Sequence, residues 1–289
     1  MMRIRILLSM VAILALAALS AQAYRLTFKD TTGVVRSYQI VADMKGSMEM
    51  LGSTVPVTST TKMLAVEKVL AVRNGISSLS FELKDGTTKM GIGALPGDAE
   101  GQNIEQPLPG FTINYDRTPQ GKVSNLKTSG ELASRFGGMF DTLNNSSQYP
   151  GQGLEFPNKE LAAGDTWVGK QTVEFFPGSQ IHVTAKYTLV GTRVVQGKTY
   201  LELKCDMTGT MPAAAIKMPT LGGDDAAAAP TTTMGMTLSG QSTSLFDEAA
   251  GEIYGTTYTM KVKIDMTTPG DNGAGIMNMM LTGKMLKAN

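Results

Sequence analysis

Apolar and polar residues alternate with a period of two along most of this chain. That pattern commits it to antiparallel sheet with one face on a core. Leu79-Ser80-Phe81-Glu82-Leu83-Lys84 alternates cleanly, as do 181–187 and 258–266. Thr, a β-branched residue suited to half-exposed strand faces, recurs throughout. Turn signals punctuate the runs: Arg73-Asn74-Gly75, Lys84-Asp85-Gly86, Gln196-Gly197-Lys198 and Ala249-Ala250-Gly251.

The pattern predicts about eleven strands. The segments that carry it are 24–29, 34–51, 54–72, 76–84, 87–92, 110–115 and 121–128 in the first half. In the second half they are 166–176, 179–195, 198–211, 231–246, 252–268 and 276–286. One central helix is expected from Ser129, an N-cap residue, with Glu131 in its first turn. Leu132, Phe136, Met139, Phe140 and Leu143 follow at helical spacing, although Gly137-Gly138 weakens it. Gly93 to Gly110 is rich in Gly and Pro and is expected to be a surface loop. Residues 212–230 lack core-forming bulk and are expected to form a flexible loop, with room for a short helix over Ala213–Lys217. The fold class that follows is mainly β: a large curved antiparallel sheet or unclosed half-barrel with one helix on its concave side. A two-sheet sandwich, or two β subdomains around the helix, is the alternative.

Residues 1–23 read as a secretory signal. Arg3 and Arg5 precede the apolar run Ile6–Leu19, and Ala21-Gln22-Ala23 is a small-x-small cleavage site. The run is shorter than the ~20 residues a membrane span needs, so an exported, periplasmic or secreted chain starting at Tyr24 is expected. The remainder, 24–289, reads as one β-rich domain without a transmembrane span.

Composition closes several functional classes. A net charge of +1 provides no electrostatic footprint for nucleic acid. One Cys and one His exclude the motifs that need two of either. Cys205 shares a strand face with Leu201, Leu203 and Met207, as a buried small hydrophobe would. Ser59-x-x-Lys62 and Ser124-x-x-Lys127 fit a Ser–Lys spacing that works on a helix. Both lie in strand-like stretches, where positions three apart face opposite sides. His182 falls on a polar strand face. Trp167 anchors a strand, with Asp165 turning the chain before it. No catalytic residue and no cofactor follow from these positions.

Methionine is the unusual feature, with 20 residues in the full chain. Met44, Met48 and Met50 share one strand face, Met234 and Met236 another, and Met260 flanks Val262. A Met-rich core explains this, and so does a deformable cavity for an apolar ligand, since Met repacks around varied shapes. A thioether site for Cu(I) is a third reading, from Met48 and Met50 or from Met277, Met279 and Met280. The cavity reading assigns its lining to Met44, Met48, Met50, Phe81, Met234, Met236, Met260 and Val262. It adds Phe136 and Phe140 from the helix.

Two stretches echo one another. Tyr115-Asp116, a spacer ending in Gly121, and Lys122-Val123 match Phe246-Asp247, Gly251 and Glu252-Ile253. They read as two similar hairpin turns or as related halves of the chain. Together with Asp43-Met44-Lys45-Gly46-Ser47-Met48 and the Phe156-Pro157 to Trp167 stretch, they give the chain a resemblance. It resembles an uncharacterised family of exported bacterial β-rich proteins, a domain of unknown function. It is also similar, in strand count and central helix, to carriers of the periplasmic lipoprotein-carrier type. That likeness implies a half-barrel with an apolar concave face, and it carries no site residues over. The functional expectation is an exported non-catalytic envelope protein that binds a hydrophobic or lipid-like molecule. The alternative is a structural protein of the cell surface with a filled core and an envelope-protein partner.

Overall fold

The computed structural model describes residues 22–50, 53–94, 100–130, 154–176, 179–217, 231–267 and 274–288. The expected signal, the body of the expected helix with Phe136 and Phe140, and residues 218–230 lie outside these.

The described residues form twelve strands in one antiparallel sheet. They are β1 (Val35–Met50), β2 (Ser53–Arg73), β3 (Ile76–Ile92), β4 (Gln102–Leu108), β5 (Phe111–Arg117) and β6 (Val123–Gly130). The second half supplies β7 (Thr166–Phe176), β8 (Ser179–Val195), β9 (Lys198–Lys217), β10 (Thr231–Asp247), β11 (Glu252–Thr267) and β12 (Ala274–Lys287). The order is β6-β5-β3-β2-β1-β12-β11-β10-β9-β8-β7, with β4 paired to β3 off that path. Each step joins sequence neighbours or near neighbours except β1–β12, which brings the two ends of the strand series together. The layout is that of an up-and-down barrel left open between β6 and β7. The single sheet removes the sandwich alternative.

The sheet is strongly curled. β5 and β10 stand six strands apart, which at ~4.8 Å per strand is about 29 Å across a flat sheet. Yet both reach the same side chain. The Arg117 guanidinium on β5 lies 4.3 Å over the Phe28 ring, and Phe246 on β10 meets that ring edge-on at 5.8 Å. Side chains of one face therefore converge, and that face is concave.

Two extended segments plug one end of the concavity. Phe28 N donates to Pro119 O at 2.7 Å and Lys29 N to Gly251 O at 3.1 Å. Phe156 N donates to Gln120 O at 2.7 Å, and its ring packs on Trp167 of β7 and Phe246. Tyr24, Leu26, Phe28, Phe156, Leu161, Leu189, Leu203 and Phe246 form one buried cluster here. Val69, Leu79, Ile113, Tyr115 and Val123 form a second in the other wing. The echoed turns thus grip opposite sides of one segment, and their glycines have positive φ, +91° at Gly121 and +63° at Gly251. A Cβ on Gly251 would sit 2.5 Å from Lys29 N, and one on Gly121 2.2 Å from Leu154 O.

Several sequence expectations are corrected. Residues 24–29 carry one isolated bridge, Tyr24–Leu161, and form no strand. They are fixed end-on to turns instead of beside a strand. The 76–84 and 87–92 segments are one strand, β3, because its Asp85-Gly86 step is absorbed as an irregularity opposite β2. The Gly93–Gly110 region contains β4, whose polar residues pair with β3 on an exposed edge. Residues 212–217 extend β9 as strand. Ala214 and Ala215 pair with Met234 and Thr233, so ladder hydrogen bonds override the helical preference of Ala. Ser129 pairs with Thr112 in β6 and is not an N-cap. The Ser–Lys pairs are split as expected at Ser59, which faces the concave side and bonds Thr88 at 3.2 Å. Lys62 is exposed.

Candidate functional site

The register builds the concave face rung by rung. At the end away from the plug, Met211, Met236, Ile264, Met277, Met48 and Val55 stand side by side. The next rung holds Leu238, Val262, Met279, Val57 and Ile92, with Gly209 and Gly46 between them. The third holds Met207, Met260, Leu281, Met44 and Met90. Apart from Ser59, which stands between Met44 and Met90 on the third, these are three consecutive apolar levels across the middle of the sheet.

A belt of hydroxyls follows toward the plug. Its first rung carries Tyr187, Ser242, Tyr258, Thr61 and Thr88. Its second carries Ser244 and Thr256 among the apolar Leu203, Met285, Ile40 and Met63. Thr88 bonds Thr61 at 2.9 Å, and Ser244 bonds Thr256 at 2.9 Å. The Tyr258 ring lies flat against Gly283, where an added Cβ would come within 2.5 Å. Cys205 sits in the same belt, buried and unpaired with another Cys. Burial pushes its thiol up to about 11.

Beneath the belt, sequence reasoning missed a buried charge network. Arg36 contacts Asp30 at 3.1 Å, Glu67 at 2.7 Å and Glu252 at 2.7 Å. Arg117 contacts Asp30 at 2.8 Å and Glu67 at 3.2 Å. Tyr115 Oη donates to Glu67 at 2.8 Å, and Lys287 pairs with Glu252. Three carboxylates meet three cations, so the network is internally neutral. Its members come from β1, β2, β5, β11, β12 and the plug. It ties both wings together and offers no uncompensated charge to a ligand. Nothing local in the sequence marks it, because its members come one or two at a time from five strands and the plug.

Of the sequence-assigned lining, Met44, Met48, Phe81, Met234, Met236, Met260 and Val262 all point to this concave face. Met50 ends β1 opposite Ser53. Met234 and Met236 are buried against Ile181 and Met211. Phe81 lies lower, packed on the cluster around Leu79 and Ile113. Met44, Met48, Met260 and Val262 are half-buried in the open middle. The sequence list omitted Met277, Met279 and Leu281 of β12, which stand opposite Met48, Gly46 and Met44. Consecutive apolar residues Met279-Met280-Leu281 obscure the alternation there.

The convex face is mixed, exposing Lys45, Lys261 and Lys263 but also Val35, Leu70, Val168 and Met280. Lys45, Thr237, Ser239, Lys261, Lys263, Asn278 and Met280 line a shallow depression of about 390 Å³ together with Leu238, Val262 and Met279. His182 is exposed and within 3.1 Å of Thr172 Oγ1. Among the described residues no group of His, Cys, Asp and Glu could hold a metal ion. No described helix is long and apolar enough to cross a membrane.

No protein-family model matches the chain, and no curated protein matches it. Among solved structures, it is similar to the β domain of the Bordetella autotransporter Brka at 8% identity and a TM-score of 0.31. That match covers 88% of this chain and 100% of the other. It is also similar to the translocator domain of the autotransporter NalP from Neisseria meningitidis, at 8% identity and a TM-score of 0.28, over 90% of each chain. A third is Pseudomonas aeruginosa OccK2 in complex with glucuronate, at 6% identity and a TM-score of 0.26. It covers 90% of this chain and 100% of the other.

Proposed function

We propose that this is an exported, non-catalytic protein of the bacterial cell envelope that holds a hydrophobic, lipid-like ligand on its Met-rich concave face. The observation that carries the reading is the central strip of Met44, Met48, Met260, Val262, Ile264, Met277, Met279 and Leu281. All are apolar, contiguous and half-buried. Filled cores bury such residues, and contiguous half-buried apolar surface is a feature of ligand-binding grooves, which supports the reading. Methionine adds a lining that adapts to varied shapes.

The sheet's polarity supports a carrier over a membrane-spanning barrel. Lipid-facing strands put a continuous apolar band on the convex side; here Lys45, Lys261, Lys263 and Thr259 are exposed there and interrupt the exposed Val35, Met280 and Leu286. The signal-like residues 1–23 and the resemblance to exported β-rich proteins agree with the envelope.

Native mass spectrometry of the protein secreted from a bacterial host tests the reading, compared with its denatured mass. A non-covalent adduct of a few hundred daltons, recovered by solvent extraction, is the expected result. A copper-mass adduct removed by a chelator would favour the thioether reading instead. A clean apo mass, after growth with lipid present, would favour the filled-core structural protein.

A further inference from the structure

We infer that the ligand is a neutral amphiphile whose uncharged hydrogen-bonding head sits at the hydroxyl belt and whose apolar chain runs along the three Met-rich rungs away from the plug. This inference rests on the lipid-like ligand reading and adds the class and orientation of the molecule.

Three observations carry it. First, the concave positions of the five rungs hold no Asp, Glu, Lys, Arg or His on any strand from β8 through β12 or on β1 and β2, and the β3 residues paired into them, Ile92, Met90 and Thr88, are uncharged. An ionised head placed there would lose its hydration without a counter-charge, a cost far above that of a neutral ester or alcohol. Second, the charged residues just beneath are already paired with each other. Arg36 and Arg117 are therefore engaged by Asp30, Glu67 and Glu252 and would have to abandon buried partners to bind an anion. Third, hydroxyls concentrate on one rung, that of Ser242, Tyr258, Thr61 and Thr88, with Ser59 on the rung before it and Ser244 and Thr256 on the rung after. Hydroxyls both donate and accept, so they match an ester, amide or alcohol. From the Met44 rung to the Met48 rung is four residues of β1, about 14 Å at ~3.4 Å per residue. That length suits a medium alkyl chain lying beside the methionines.

The test titrates the delipidated mature protein with 1-monolauroylglycerol and with laurate at pH 8, below their aggregation concentrations. The two share a chain and differ in the charge of the head. The neutral probe is expected to bind at least about tenfold more tightly, since burying an unpaired carboxylate is unfavourable. Ser242→Ala and Thr61→Val, each checked for an unchanged circular dichroism spectrum, are expected to weaken the neutral probe about three- to tenfold, the worth of one hydrogen bond. They should leave laurate unchanged. If Thr61→Val fails to fold, Ser242→Ala alone decides. Equal affinity for both probes with no effect of the variants would overturn the neutral head at the belt and leave the groove reading standing. Binding of neither probe would contradict the groove reading itself.

Discussion

Arg36, near the start of β1, donates through Nε to Glu252 Oε2 at 2.7 Å. It reaches past β12 to the first residue of β11. The same guanidinium binds Glu67 on β2 through Nη1. One side chain therefore spans the seam where the two ends of the strand series meet, and its side chain is 3% exposed. Removing it would strand Glu67 and Glu252 as buried, under-compensated charges. Arg36→Met is expected to cost about 3–5 kcal/mol, read as a lowered midpoint in urea unfolding.

Acid should weaken the same network. Burial alone would raise the Asp30 pKa, but Arg117 and Arg36 outweigh it and hold the carboxyl below its usual 3.8. A folded-state pKa below the unfolded one contributes stability that is complete above the unfolded value. That contribution is lost as pH falls through the folded value. The melting temperature should then stay flat from pH 5 to 7 on account of this group and fall below about pH 4. Asp30→Asn should be less stable at neutral pH and show a shallower acid limb. An acid limb as steep as in the parent would show that Asp30 does not drive it.

The plug depends on two close approaches. Gly251 combines a φ of +63° with a neighbour, Lys29 N, 2.5 Å from any added Cβ. Gly33 has a φ of +87° and nothing within 4 Å. Both substitutions to Ala incur backbone strain of about 1 kcal/mol or more. Gly251→Ala must also displace the Lys29 backbone. Its unfolding midpoint should fall clearly below that of Gly33→Ala, and equal effects would mean that the segment is not held by this turn.

Cys205 is buried between Tyr187 and Ser242 with its thiol raised to about 11. The thiolate is the reactive form. Iodoacetamide at pH 8 should leave the native protein unmodified over a period that fully labels it in guanidinium chloride, as read by intact mass. Rapid native labelling would place the belt in contact with solvent at that strand.

Much of this architecture is legible in the sequence, for a local reason. Alternation and turn residues are short-range signals, so β1, β2, β7, β8, β10, β11 and β12 follow from them to within a few residues. The concave orientation of Met44, Met48, Met260 and Val262 follows from the same phase. What escapes is non-local. Pairing of β1 with β12 joins residues such as Met48 and Met277 that are far apart in the chain, so β12 was left out of the lining. The Arg36–Glu67–Glu252 network is assembled from isolated charges on separate strands. Ala213 to Lys217 misleads because its helical preference yields to pairing with β10. Residues 24–29 mislead because an apolar alternating segment can bury its side chains as a plug without a strand neighbour.

The central claim is that the concave face is the ligand site, and neighbouring methionines test it with an internal control. Met279 lies half-buried on the concave face beside Val262, whereas Met280 is 42% exposed on the convex face. Limited peroxide oxidation, quantified by peptide mass spectrometry, reads the access of each thioether to solvent. With 1-monolauroylglycerol bound, Met279, Met44 and Met260 are expected to oxidise several-fold more slowly than in the delipidated protein, with Met280 unchanged. Protection of Met280 alone, or equal rates at Met279 with and without the bound lipid, would contradict the account.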